Sequence, residues 1–430
     1  MFVTDQNTLL PDLYLLEQKI AAPVQKNIVL SFERQLQSFK PLQKVKAGDR
    51  VAITGSSRGV KDLPQVLGCL VATLLKTGAR PFIAPAMGAQ GGATAEGYTD
   101  VLAGNGITED TVGAPILSLS DVVKIGNTKH GFPVYVGKEF VDADHVIVVN
   151  RIKPHTDFTG EIESGLLKIM VIGMGKAICA LTAHQAIMHY GFQQVMQEFS
   201  DVIFDRLPVL AGVGIVENYV HQTAYLELIE PAAFWEEEKQ LLKKAKRLVA
   251  KIPFNNVDLL IVDEIGKDIA GPGMDTRVIG RVMNIMTREP SQKKFKRIFV
   301  RDLTDQSHGN ACGIGLADFT TDRLVAKINK EVIKINTVLS CTPEKARIPI
   351  PYPSDREGVI AGLYSAGVFQ FQDARIVWVK NTLELRQFII SQSLLEEVKA
   401  NHKLKTVKGP FAFSFDTLGN LPFNLIRKET

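Results

Sequence analysis

Short apolar runs alternate along this chain with amphipathic stretches that end at glycine. The runs at 50–55 and 81–86 are brief, rich in Val, Ile, Phe and Ala, and stop at turn residues, so they read as strands. Between and after them, 64–76 reads as a helix closed by Gly78. Residues 94–103 read as a helix with an acidic first turn, ended by Gly104. The first 45 residues read as an N-terminal arm with a helix over 30–42. A further apolar strand at 145–149 repeats the pattern, and a long charged helix over 232–251 reads as a spacer. A second unit opens on the apolar strand 256–264, breaks into the Gly-rich loop 266–273, and continues with strands at 297–300 and 374–379. No repeat of fixed period and no low-complexity tract is present. Strand–helix alternation predicts parallel sheets with chemistry at the strands' carboxyl ends. The expected fold is two α/β domains, 1–255 and 256–430, with mostly parallel sheets and the active site in the cleft between them.

Four loops that follow strands carry the candidate chemistry. They begin at Thr54-Gly-Ser-Ser-Arg, Met87-Gly-Ala-Gln-Gly-Gly, Lys153-Pro-His-Thr-Asp and Glu264-Ile-Gly-Lys-Asp. Their glycines let backbone N–H groups approach an anion, and Arg58, beside Ser57, can hold a carboxylate bidentately. The densest stretch is 150–184, which holds His155, Ser164, Lys168 and His184. A strand that empties into a Gly-rich loop and then a helix is a usual place to hold an anionic ligand.

Composition narrows the picture only a little. The chain has 430 residues, 45% hydrophobic and 22% charged, with a net charge of +4. The basic clusters at 239–251 and 293–297 have few aromatics near them and read as solvated helix faces, not as a nucleic-acid surface. The four cysteines form no CxxC pair, so neither a disulfide framework nor a Cys-rich zinc site is expected. No secretory signal and no run of about 18 apolar residues is seen, so a soluble cytoplasmic protein with no membrane partner is expected. The oligomeric state is open, with a homodimer one option.

Histidine placement sharpens the candidates. His155 sits in a loop before Thr156 and Asp157, where an acid/base group is useful. His308, in Asp305-Gln-Ser-His, is a similar loop candidate, whereas His145 lies in an apolar strand and reads as structural. His184 and His189 are five apart, about 140° around a helix, so they cannot bind one metal as an i, i+4 pair would. The run Gly173-Met-Gly175-Lys176-Ala-Ile only partly matches a dinucleotide fingerprint.

Taken in order, the segment PHTDFTGEIESGLLK followed by His184 resembles the lactate racemase family, and the likeness extends through most of 50–320. The resemblance implies a 2-hydroxy acid racemase or epimerase, an isomerase, that carries a nickel-pincer nucleotide. In that family a lysine joins the cofactor through a thioamide, and a histidine sixteen residues later ligates nickel. Lys168 and His184 have that spacing. The resemblance implies His155 as acid/base, Ser164 as a further cofactor contact, and Ser57, Arg58 and Asp275 as substrate holders. Two departures stand out. Gln90 occupies the place of the family's second acid/base histidine, and Gly55 or Ser56 that of the aspartate before the arginine; the family's substrate lysine is also poorly matched around Lys267 and Asp275. These departures imply that the 2-hydroxy acid is not lactate but something larger and more polar.

The implied reaction moves a hydride from C2 of the hydroxy acid to the cofactor and returns it to the opposite face. It needs a base for the hydroxyl proton, a cation for the carboxylate and a dry site. With Gln90 unable to act as a base, Lys267 or His308 is the expected substitute on the second face. The competing expectations are a metal-dependent hydrolase or lyase using His155 and His184 with Asp157 or Glu161, and a non-catalytic small-molecule or nucleotide-binding protein.

Overall fold

Val51, Ala52 and Ile53 are completely buried, as are Val146 to Val149, so both apolar runs become strands covered on two faces. The computed structural model describes residues 9–56, 59–88, 90–290, 294–423 and 425–426. The chain is α/β and divides into two compact units. One is Ala21–Val249, and the other joins the chain up to Ile20 to the chain from Ala250 onward.

A single cut at 255 therefore does not describe the chain. The N-terminal arm holds strand β1 (Leu13–Gln18), which hydrogen-bonds antiparallel to two strands near the C-terminus, with Leu15 opposite Ile389 and Glu17 opposite Lys405. Leu13 and Leu16 are fully buried there. The helix expected over 30–42 is shorter, α1 (Ile28–Ser38), and a 3-10 turn over Lys40–Lys44 begins where Pro41 interrupts it.

The unit Ala21–Val249 is built on β2 (Arg50–Gly55), β3 (Arg80–Pro85), β6 (His145–Arg151), β7 (Val209–Glu217) and β8 (Thr223–Ile229). The sheet order is β3-β2-β6-β7-β8. The first four strands run parallel and β8 closes the edge antiparallel to β7. A separate hairpin pairs β4 (Val122–Asn127) with β5 (Pro133–Gly137). Helices α2 (Leu63–Lys76) and α3 (Ala95–Gly104) follow β2 and β3, and Thr94 caps α3 by accepting the Gly97 N–H. Leu67, Leu70, Ile83, Ile147, Val149 and Val213 form the centre of this core. Because β2, β3 and β6 are parallel, the loops that leave their carboxyl ends gather at one end of the sheet.

The other unit has an eight-stranded mixed sheet. Its parallel part centres on β9 (Val257–Ile265), flanked on one side by β10 (Phe295–Leu303), β11 (Phe319–Thr321) and β12 (Ile350–Tyr352) and on the other by β13 (Ile376–Val379), and its antiparallel part ends on β14 (Gln387–Ser391), β1 and β15 (Leu404–Phe411). Leu259, Ile261, Phe299, Trp378 and Ile389 fill its core. Among the described residues no single helix is long and apolar enough to cross a membrane.

Candidate active site

Strand β6 ends at Arg151, and the loop that follows closes on itself. The Lys153 N–H donates to the Ser164 carbonyl at 2.9 Å, and the Ser164 N–H returns to Lys153 at 3.2 Å. Inside this loop Glu163 is 2% exposed. One of its oxygens accepts the His155 N–H at 2.7 Å; the other accepts the Gly160 N–H at 3.2 Å and the Lys246 ammonium at 2.6 Å. Gln193 clamps the same loop from outside, donating to the Ile162 carbonyl at 2.7 Å. A buried carboxylate with these donors is satisfied, so the loop holds one shape.

That shape places His155. Its ring stacks on Phe158 with centroids 4.9 Å apart, and Phe158 stacks on Phe192 at 4.5 Å. Nδ1 accepts the Asp157 N–H at 2.9 Å, and Nε2 lies 3.0 Å from the Lys168 ammonium nitrogen. Two residues singled out in the sequence thus meet directly.

Lys168 stands on a short helix, α4 (Leu166–Lys168), which runs on into a π-helical turn, Ile169–Gly173. Its N-terminus is held by two polar groups. Asn150 at the end of β6 donates to the Gly165 carbonyl at 2.8 Å, and the fully buried Glu238 accepts the Leu167 N–H at 2.9 Å. Gly165 is required here, because a Cβ would collide with the Glu238 carboxyl. Burial pushes the Glu238 carboxyl up to about 7, against the lowering effect of the Leu167 and Leu166 N–H groups. Glu238 comes from the charged helix read as a spacer. That helix, Phe234–Leu248, instead buries Phe234, Leu241, Leu242 and Ala245, an amphipathic stripe that packs on the sheet unit.

The chain then breaks sharply. Leu166–Gly173 and Lys176–Tyr190 meet at 111°, and the second arm is α5 (Lys176–Tyr190). A Cβ on Gly173 would lie 2.7 Å from the Ala86 carbonyl, so only glycine allows this approach to the loop after β3. Lys176, with φ of 56°, is 2% exposed. Its ammonium bonds Glu139 at 2.6 Å and the Pro85 carbonyl at 2.8 Å, and it lies 4.7 Å from the centre of the Tyr98 ring. Burial lowers the Lys176 amine and raises the Glu139 carboxyl, and each partly offsets the other. The partial dinucleotide fingerprint is therefore a helix break, not a phosphate loop.

Lys176, Ala180 and His184 are spaced i, i+4, i+8 and share one face of α5. Ala180 borders Gly88, whose N–H donates to the Gly173 carbonyl at 3.3 Å. His184 therefore projects from the face turned to the loop after β3, whereas His189 is exposed. Gln90 lies in that loop, exposed, in the turn Gln90–Ala93 whose Gly91 and Gly92 have φ of 62° and 67°. Tyr98 ties the loop down by donating to the Gly88 carbonyl at 2.9 Å.

Other candidates have different surroundings. Ser57 and Arg58 lie outside the described residues. Ser164 closes the His155 loop through its backbone. Lys267, Asp275 and His308 belong to the second unit. The Lys267 ammonium donates to the Gly271 carbonyl at 2.6 Å and Asn336 at 2.7 Å. Asp275 caps a short helix and pairs with Arg277 at 2.7 Å. His308 is exposed, with φ of 47° at the end of a turn. Glu161, considered as a metal ligand, pairs with Lys239 at 2.8 Å, which holds its carboxyl below the usual range. Among the described residues no three His, Cys, Asp or Glu side chains converge as a metal cluster.

Comparison with known proteins agrees with this site's position in the chain. Residues 12–194 match the family described as the lactate racemase N-terminal domain. That part of the chain is similar to the lactate racemase N-terminal domain. His155, Lys168 and His184 all fall inside the matched region. No curated protein matches the chain in sequence. The lactate racemase apoprotein from Thermoanaerobacterium thermosaccharolyticum is similar in structure at 14% identity, covering 86% of this chain and 94% of that one, with a TM-score of 0.49.

Three residues around this site were not singled out by the sequence: Glu163, Glu238 and Glu139. Glu163 lay beside Glu161, and only burial separates the two. Glu238 had a faint signal, since it falls on the apolar stripe of an otherwise charged helix.

Proposed function

We propose that this protein is a racemase or epimerase of a 2-hydroxy acid other than lactate, working with a nickel-pincer nucleotide. The observation that carries the proposal is the His155–Lys168 contact of 3.0 Å at the end of a parallel strand. His184 follows at the spacing of sixteen, on the face of α5 turned toward the loop of Gln90.

The residues fit such a group. Lys168 offers an amine on a turn whose backbone is fixed by Asn150 and Glu238. His184 offers an imidazole, a ligand type that suits nickel, and Ser164 stands in the adjoining loop. Lys168 would anchor the group, His184 would ligate its metal, and the bound group supplies a hydride acceptor and donor for C2 of the substrate. His155 handles the hydroxyl proton at Nε2. To accept a proton there the side chain must turn away from the Asp157 N–H at Nδ1, while the loop backbone keeps the shape that Glu163 gives it. Phe158 and Phe192 keep water from one face of the ring. Arg58 and Ser57 take the substrate carboxylate. Gln90 hydrogen-bonds a polar group of the substrate and takes no proton, since an amide has no basic nitrogen. No step is assigned to Lys267, Asp275 or His308.

The test is chiral chromatography of lactate, malate, 2-hydroxyglutarate and aldonic acids incubated with protein produced alongside the cofactor's biosynthetic enzymes. Dicarboxylic or polyhydroxy acids are expected to lose stereochemical purity, with lactate slow. Rapid lactate racemisation would overturn the argument from Gln90. Inversion of no hydroxy acid by fully loaded protein would overturn the function itself.

A further inference from the structure

Lys294 stands directly before β10 in the second unit. Its backbone is fixed, because its carbonyl accepts the Val257 N–H at 3.1 Å. Its stem is packed as well, since a Cβ on Gly280 would lie 3.2 Å from the Lys294 Cβ. The half-buried side chain ends on one backbone oxygen: its amine donates to the Ile252 carbonyl and lies 5.7 Å from the centre of the Phe295 ring. Among the described residues no carboxylate pairs with this amine, and Ser291, Gln292 and Lys293, just before it in sequence, include no acid. The charge that acts on it is a second cation, Lys251.

We infer that Lys294 is a modification site, a nucleophilic amine acylated in preference to the exposed lysines by thioesters and acyl phosphates. This stands apart from the proposed function and needs no bound cofactor. With a thioester, the amine lone pair forms the N–C bond, the C–S bond breaks, and the thiolate leaves with the proton that the nitrogen gives up. With an acyl phosphate the C–O bond breaks, phosphate leaves, and the nitrogen's proton goes to solvent. An amide remains in both cases, and no oxidant or reductant is needed. An ordinary lysine near neutral pH is almost entirely ammonium and cannot attack. Half-burial without a counter-ion, beside a like charge, disfavours the ammonium and frees the lone pair.

The surroundings agree with this state. Burial, and after it the Lys251 charge, pull the Lys294 amine from its ordinary 10.5 down to about 8. The acids on the adjoining elements are committed to other donors. Asp258 on β9 holds Lys296 at 2.7 Å and the Arg375 N–H at 2.8 Å. Arg281, next to Gly280, pairs with Asp318 at 2.7 Å. Lys176, whose amine burial also lowers, differs in both respects: it is 2% exposed, beyond the reach of a reagent, and Glu139 holds its proton. The acylated product suits the Lys294 site, since an amide keeps one N–H for the Ile252 carbonyl and removes the charge that repels Lys251.

The experiment uses the full chain. Trace labelling with isotopic acetic anhydride is run across pH 6–10, followed by complete labelling in denaturant and peptide mass spectrometry, with fragment ions separating Lys294 from Lys293. Lys294 is expected to reach half-maximal labelling at least about one pH unit below the exposed Lys26 and Lys403, which is about tenfold more neutral amine near neutral pH. The folded chain is then incubated near neutral pH with acetyl phosphate and, separately, with S-acetyl-N-acetylcysteamine, a small thioester. Both are expected to acetylate Lys294 faster than Lys26 and Lys403. Half-maximal labelling of Lys294 at the pH of Lys26 and Lys403 or above it overturns the inference. So does acetylation of Lys294 by both donors at a rate no greater than that of the two exposed lysines, because the amine would then be out of a donor's reach.

Discussion

Glu238→Gln should stabilise the protein at alkaline pH and leave it unchanged in acid. Glu238 is fully buried, one oxygen takes the Leu167 N–H, and the other has no hydrogen-bond partner. Desolvation outweighs the two N–H groups and raises the carboxyl from its ordinary 4.5 to about 7. A carboxyl raised on folding is bound to its proton more tightly in the native state. Its stabilising contribution is full below about 4.5 and is lost as pH rises through about 7. The rise corresponds to about 3 kcal/mol, at about 1.4 kcal/mol per pH unit. Glutamine mimics the protonated acid in shape and keeps an oxygen for the Leu167 N–H. Urea unfolding of both proteins at pH 4 and pH 8 measures the difference. The variant is expected to match the parent at pH 4 and to exceed it by up to about 3 kcal/mol at pH 8. A difference that does not change with pH would mean that the Glu238 proton is held alike in the folded and unfolded states, and that burial does not raise this carboxyl.

Other perturbations follow from the same geometry. Lys176→Met strands the buried Glu139 carboxyl and should cost about 3–5 kcal/mol, most of it recovered by adding Glu139→Leu; thermal unfolding of the two single variants and the pair measures this coupling. His184→Ala should sharply lower nickel retained by the loaded protein, read by metal analysis, whereas the exposed His189→Ala should not. Gln90→Ala should raise KM for the best polar hydroxy acid by about tenfold, as loss of one substrate hydrogen bond does, and Gln90→His should improve turnover of simple 2-hydroxy acids.

The parallel strands of the first unit were legible because Val51–Ile53 and Val146–Val149 are continuous apolar runs, a signal that needs no partner to be read. Strand β1 was not, because six residues in an arm become a strand only through pairing with Gln387–Ser391 and Leu404–Phe411 at the far end of the chain. His155, Lys168 and His184 stood out by residue type and spacing. What surrounds them did not. Glu163 and Glu238 look like solvent-facing acids in a charged context, and only folding reveals that one is 2% exposed and the other fully buried. The helix break at Gly173 to Lys176 imitated a nucleotide motif because both uses need glycine for close backbone approach.

Covalent attachment at Lys168 is read from the intact mass of the protein, native and denatured, after production with the cofactor pathway. A mass increase is expected that survives denaturation, maps by tryptic digestion to Lys168, and disappears in Lys168→Ala while that variant stays folded. An adduct on Lys176, or none on fully supplied protein, would contradict it.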